Sequence, residues 1–304
     1  MSGHDRSHGH APASGHGRAF ATGIALNTAF VAAELVFGLR AHSLALVSDA
    51  GHNFGDVLGL ALAWWASNLA RRSPTLRRTY GLRRSTILAA LANAILLLIA
   101  VGAIVWEAAQ RLVRPQPVEA GTVIWVAAVG VVINGVSALL FLSGRKDDLN
   151  IRGAFLHMAS DAVVSLGVVA TGIAMQIAGW LWLDPVVSIA IAVIITVGTW
   201  GLLRESMDLA MDAVPVGINP LDVESYLAAL SDVEAVHDLH IWGMSTTETA
   251  LTAHLIMRRV PVSDAFLQAV SGELHERFGI EHTTIQFEHG DAEPPCVQAP
   301  SEVV

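Results

Sequence analysis

The chain has 304 residues, of which 53% are hydrophobic and only 15% charged, with a mean hydropathy of +0.52. Soluble domains average about 25% charged residues, and the deficit lies in long segments almost without charge, which argues against a soluble enzyme and a nucleic-acid binder. The lone cysteine, Cys296, rules out an internal disulfide and any multi-cysteine zinc finger. Net charge is −9, split unevenly: residues 1–207 carry 15 Lys/Arg against 11 Asp/Glu, net +4, and residues 208–304 carry 3 against 16, net −13. The two parts face different solvents.

Residues 1–18 are rich in Gly, Ser and His without an apolar run, and read as a flexible tail rather than a signal peptide. Apolar stretches follow near 19–39, 44–69, 85–110, 121–143, 153–178 and 184–203. Each has about the 20 residues that a helix needs to cross the hydrocarbon core. They predict a six-helix transmembrane domain over 19–207 with both chain termini on one side. The 70–84 connection holds Arg71, Arg72, Arg77, Arg78, Arg83 and Arg84, and the 144–152 connection adds Arg145, Lys146 and Arg152. The opposite loops offer only Arg40, Arg111 and Arg114. The positive-inside rule then puts both termini in the cytoplasm, with the inner membrane as the expected location.

From about 208 the texture changes. An amphipathic stretch at 219–231 precedes two alternating runs, VHDLHIWGMS and TALTAHLIMR, then a helical stretch at 264–278 and a last strand, HTTIQFEH. The order αββαβ predicts a small cytoplasmic α+β domain over 208–290, ferredoxin-like, with its helices on one face of a sheet. Residues 291–304 read as a second flexible tail.

Ionisable groups are rare and costly inside a bilayer, so each asks for a functional reason. Span two contains SDAGHNFGD and span five HMASD, which repeat one unit: His52 with Asp56, and His157 with Asp161. A spacing of four sets both side chains on one helical face. Two such faces present two imidazoles and two carboxylates, a complete tetrahedral N/O set for Zn²⁺ or a similar first-row ion. Two carboxylates also cancel the charge of a divalent ion. A single HxxxD can equally be a buried His–Asp hydrogen bond fixing a helix contact; the repetition in two spans favours metal. Asp49, one turn before His52, is either a further ligand on the ion's way in or a cap for the start of span two. Glu34 shares a face with Asn27 in span one and reads as a bundle-facing polar or proton-handling group. Asp184, before Pro185, reads as the N-cap of span six, Glu107 as a partner for interfacial arginines, and His42 as a solvated interfacial residue.

The segments SLALVSDAGHNFGD, YGLRRSTILAAL, HMASD, WLDPVVS and VHDLHIW, together spanning about residues 19–289, resemble the cation diffusion facilitator family, in its zinc-transporting branch. The resemblance implies a homodimeric Zn²⁺/H⁺ antiporter exporting zinc from the cytoplasm, with one transport site per protomer at His52, Asp56, His157 and Asp161. It also implies a regulatory zinc site in the cytoplasmic domain at His237, His254 and Glu288. Gln286 stands where some relatives have a third histidine, and Cys296 is a weaker candidate ligand. Arg84 and Asp212 match positions whose charges interlock membrane helices and domain at the dimer interface. Two departures accompany the match. The 70–84 loop has no His, so no metal is expected there, and Arg84-Ser85-Thr86 replaces an Arg-Ala-Glu.

The histidines at 4, 8, 10 and 16 are irregularly spaced and fit weak metal collection rather than a defined site. Two other classes remain to be weighed. An intramembrane metal hydrolase needs an open coordination position and a general base, and no HExxH occurs. A membrane metal sensor needs an output module, and the tail domain is small for a catalytic one.

Overall fold

A computed structural model describes residues 17–142, 149–258, 263–289 and 296. Six long helices come first: α1 (Gly17–Arg40), α2 (Leu44–Ala70), α3 (Ser85–Val113), α4 (Ala120–Phe141), α5 (Leu149–Ala178) and α6 (Leu183–Ala210). They fall where the apolar stretches predict them. The cationic residues Arg145 and Lys146 and the histidines at 4, 8, 10 and 16 lie outside the described residues. Among the described residues, four helices are long and apolar enough to cross a membrane by composition alone: α3, α6, and the 120–139 and 155–178 portions of α4 and α5. In α2 the polar residues Asp49, His52 and Asp56 interrupt an otherwise apolar helix. Large apolar side chains stand outward along these helices, as a hydrocarbon solvent requires. Trp106, Trp125, Trp180 and Trp182 are exposed near the α3–α4 and α5–α6 connections, and indole rings favour membrane–water interfaces.

The chain resolves into two compact units, one comprising 1–58 with 97–197 and the other 59–96 with 198–304. In the first, small and branched residues pack the core, among them Ala45, Leu46, Val123, Ala127, Val168 and Ile191. The corner between α1 and α2 is tight: His42 sits at φ 54° and Gly38 leaves no room for a side chain, since a Cβ there would stand 3.0 Å from that of Leu46. Asp184 has a different task from the one its sequence context suggests. It lies inside the first turn of α6 and does not cap it. Its carboxylate accepts the N–H groups of Leu44 (2.8 Å) and Ala45 (3.2 Å) and the Ser43 hydroxyl (2.6 Å), capping α2 from 140 residues away. Asp49, the other candidate for that cap, is thereby displaced from it, one turn too deep in the helix.

The second unit carries the C-terminal domain: α7 (Pro220–Ala228), β1 (Val233–Gly243), β2 (Thr249–Met257), α8 (Asp264–Phe278) and β3 (His282–Glu288). The order is the predicted αββαβ. Asn219 caps α7, with Pro220 at its first position, and Ser263 caps α8. Gly279, at φ 67°, ends α8 in the left-handed turn that glycine adopts freely. The sheet runs β1-β2-β3, antiparallel between the first pair and parallel between the second. Val223 and Leu227 of α7 and Val270 and Leu274 of α8 bury against Leu251, Ala253, Leu255 and Met257 of β2. Both helices therefore load one face of the sheet, and the alternation of strand side chains leaves the even-numbered residues of β2 for the other.

The arginine-rich connection between α2 and α3 belongs to this unit and is tied to the domain at four points. Arg83 pairs with Glu248 at 2.6 Å, Arg84 with Asp212, the Thr86 hydroxyl accepts the Thr246 N–H at 3.1 Å, and Tyr80 meets His282 edge-on at 5.6 Å between ring centres. Thr86 is one of the departures from the family pattern, and here its hydroxyl makes one of the four ties.

Candidate metal sites

Helical spacing carries His52 and Asp56 to one face of α2, and His157 and Asp161 to one face of α5, and the structure sets these faces together. The carboxylates and imidazoles interleave. Asp56 Oδ2 lies 3.9 Å from His52 Nδ1 and 3.3 Å from His157 Nε2; Asp161 reaches His52 Nε2 at 3.6 Å and His157 Nε2 at 3.7 Å. The two rings stand at 76° with centres 6.1 Å apart. All four separations exceed the 2.7–3.2 Å typical of N–H···O hydrogen bonds. The edge of a tetrahedron with bonds of about 2.0 Å to a central Zn²⁺ is about 3.3 Å, a length that the Asp56–His157 pair has and the other three exceed. Asp161 is 1% exposed, and both its oxygens, like Oδ2 of Asp56, are buried without a hydrogen-bond partner.

Asp49 stands apart from this set. It accepts the Ser165 hydroxyl at 2.9 Å, and like Glu34 and Asn53 it is fully buried. Of the remaining sequence candidates, Glu107 receives Arg111 Nε at 2.9 Å, one helical turn along, and the exposed His42 offers its carbonyl to Arg111 Nη1 at 2.5 Å. Nothing is described of the Asn27 side chain.

A second cluster forms on the sheet face that the helices leave free. The register pairs His237 with His254 and His254 with Gln286, so these three share a face, and Glu288, two residues beyond Gln286, shares it too. His237 Nε2 is 3.1 Å from Glu288 Oε2, and His254 Nδ1 is 2.9 Å from Glu288 Oε1. Cys296 Sγ comes within 3.7 Å of the same Nδ1. One donor atom from each of the four lies within 4.8 Å of the others. Gln286 is not among them; its amide donates to Glu288 Oε1 at 2.7 Å and orients that carboxylate. Burial alone would raise the Glu288 pKa, but hydrogen bonds from Cys296, Gln286 and His237 bring it below the usual range.

Asp238 was not legible as part of this cluster. β1 takes an extra residue between His237 and His240, and Asp238 occupies that bulge at φ 51°. Its carboxylate faces His240 Nε2 at 2.9 Å and His254 Nε2 at 3.5 Å. That arrangement turns the other ring nitrogen of His254 toward Glu288 and Cys296. Carboxylates on the far nitrogen of a histidine commonly orient metal-binding rings in this way.

A family model for the cation efflux transmembrane domain matches residues 21–209, and one for the cytoplasmic domain of cation efflux proteins matches 217–290. The chain belongs to the cation diffusion facilitator family. It is 36% identical over 293 residues to a metal cation efflux system protein, CzcD, of Cupriavidus metallidurans, covering 96% of this chain and 92% of the relative. It is 32% identical over 295 residues to the zinc transporter ZitB of Escherichia coli, at 96% and 93% coverage. A cadmium, cobalt and zinc/H⁺-K⁺ antiporter of Bacillus subtilis is 32% identical over 266 residues, at 86% and 85%. A solved metal-bound C-terminal domain of CzcD aligns with 23% of this chain and 99% of its own, at 33% identity and a TM-score of 0.21. The family's members are integral membrane transporters of metal cations, not enzymes, and this chain is one of them.

Proposed function

We propose that this cation diffusion facilitator exports Zn²⁺ from the cytoplasm in exchange for protons, working as a homodimer in the inner membrane with both termini cytoplasmic. The observation that carries the reading is the interleaved set of His52, Asp56, His157 and Asp161, whose buried oxygens lack partners. Two imidazoles and two carboxylates suit zinc in hardness and number, and leave the loaded site without net charge. Unperturbed imidazole titrates near pH 6.5, so protons arriving from the outer side compete with the ion for the same atoms. Alternating exposure of one shared set then couples the two flows without a separate relay. Zinc as the cargo agrees with the zinc transporter ZitB being a relative, and proton exchange with the zinc/H⁺-K⁺ antiporter of Bacillus subtilis being another.

In the same reading, residues 208–290 form a regulatory and dimerisation domain, the stretches 1–18 and 291–304 act as tails, and Cys296 comes from the second of these. His237 Nε2, His254 Nδ1, a Glu288 oxygen and Cys296 Sγ would hold a regulatory Zn²⁺. A bound ion there would offset part of the repulsion between two strongly acidic domains. Asp49, behind its Ser165 hydrogen bond, serves the path to the site rather than the site itself.

The test is flux. Purified protein in sealed vesicles with an acidic lumen should accumulate Zn²⁺, and collapsing the pH gradient should stop it. Asp56→Ala and Asp161→Ala should each abolish accumulation while the dimer still assembles. Flux indifferent to the gradient removes the antiport, and flux at the wild-type rate in both variants removes the site. A sensor or a hydrolase would show no flux at all.

A further inference from the structure

We propose that the face joining the arginine-rich connection to the C-terminal domain holds an anionic phospholipid from the adjoining leaflet. A cavity of about 1000 Å³ opens there, between residues 77–88 and the β1 side of the domain. Four guanidinium groups line it, on Arg77, Arg78, Arg83 and Arg84. Arg83 and Arg84 are already engaged by Glu248 and Asp212. Arg77 and Arg78 are exposed and have no carboxylate partner among the described residues. Guanidinium forks bind phosphate oxygens in pairs, and basic pockets beside membrane helices on a positively charged side are suited to anionic headgroups.

The rest of the wall is apolar, which separates a lipid from a free anion. Leu82, Leu239, Ile241 and Met244 line it, and Leu88, 59% exposed, continues it onto the second turn of α3. A soluble phosphate would satisfy the arginines and leave that wall in water. A phospholipid covers both, its phosphodiester at Arg77 and Arg78 and its upper acyl carbons along Leu82 and Leu88. Since the same loop ties the helices to the domain through Arg83, Arg84 and Thr86, the lipid would brace that joint.

The full-length protein in detergent is titrated with dioctanoyl phosphatidylglycerol, dioctanoyl phosphatidylcholine or glycerol phosphate, with bound adducts counted by native mass spectrometry. Phosphatidylglycerol should bind about ten-fold more tightly than phosphatidylcholine. Glycerol phosphate at equal concentration should not displace it. Arg77→Gln with Arg78→Gln should weaken the glycerol lipid about ten-fold, whereas Arg71→Gln with Arg72→Gln, in the same loop but off the cavity wall, should leave it unchanged. Leu88→Trp keeps every arginine while narrowing the apolar wall, and should also weaken it. Equal binding of the two lipids, displacement by glycerol phosphate, or equal loss in the Arg71/Arg72 pair would each overturn the proposal. So would a Arg77/Arg78 pair that loosens the dimer at unchanged lipid affinity, which would assign the cavity to a second copy of the chain.

Discussion

In the proposed transport site, His52 is the ligand through which selectivity would enter. Exchanging its imidazole for a third carboxylate makes the site more negative and loosens the preference for zinc that an imidazole-rich tetrahedral set gives. His52→Asp should therefore raise the Cd²⁺/Zn²⁺ uptake ratio in vesicles, and an unchanged ratio would separate this residue from selectivity. Glu288 makes a prediction about pH. Its carboxyl is held below the ordinary value of 4.5, so its contribution to stability is present above that value and disappears as pH falls through the lowered one. Thermal unfolding of the metal-free protein should show this loss as pH falls below 4.5, and Glu288→Gln should flatten that limb. An identical acid limb in the variant would mean that the hydrogen bonds to Glu288 contribute nothing net. That His52, Asp56, His157 and Asp161 gather between α2 and α5 was legible because helices repeat every 3.6 residues and charge is scarce in apolar sequence. Asp238 was not, since only the bulge that throws it to φ 51° brings its carboxylate to His254.

At the level of elements, the start of α2 depends on a group that no local rule connects to it. A carboxylate ahead of Pro185 has the form of an N-cap for its own helix, and alternation or capping patterns cannot reach across 140 residues. The order of helices and strands was readable because each writes its period into neighbouring residues; the tie between α2 and α6 is written in none. Asp184→Ala leaves the Leu44 and Ala45 N–H groups and the Ser43 O–H donor buried without an acceptor, each worth about 1–3 kcal/mol. The variant should melt several degrees lower in detergent and transport poorly, because α2 also positions His52 and Asp56. Asp184→Asn, which retains one acceptor, should fall between. An unaltered melting curve for the alanine variant would show that α2 begins without this cap.

For the whole molecule, the Arg84–Asp212 pair raises a question of scale. The two side chains are 53% and 50% exposed in the single chain, and an exposed pair contributes only about 0–1 kcal/mol. Its value depends on desolvation by a second protomer, where removing one partner becomes far more costly. Arg84→Ala and Asp212→Ala should thus weaken dimerisation or slow transport while leaving the fold of the protomer intact. The swap Arg84→Asp with Asp212→Arg should recover part of the loss. Wild-type behaviour of both single variants at low and high salt would return Arg84 to a marker of topology. Arg83–Glu248 and Thr86–Thr246 run beside the pair, so the effect of losing Arg84 alone is shared with them.

The sheet register has a consequence for how such a chain can change over generations. His254 and its neighbours Ala253 and Leu255 point to opposite sides of one strand, ligand to one and leucine core to the other. Inserting or deleting a single residue between Thr249 and His254 would exchange the two sides at once, driving an imidazole into the core and a leucine among the ligands. Substitutions can retune the metal cluster one side chain at a time, but changes in strand length cannot. Length variation among descendants of this sequence should therefore collect in the 244–248 turn and beyond Glu288, outside the stretch of β2 whose register assigns the two faces.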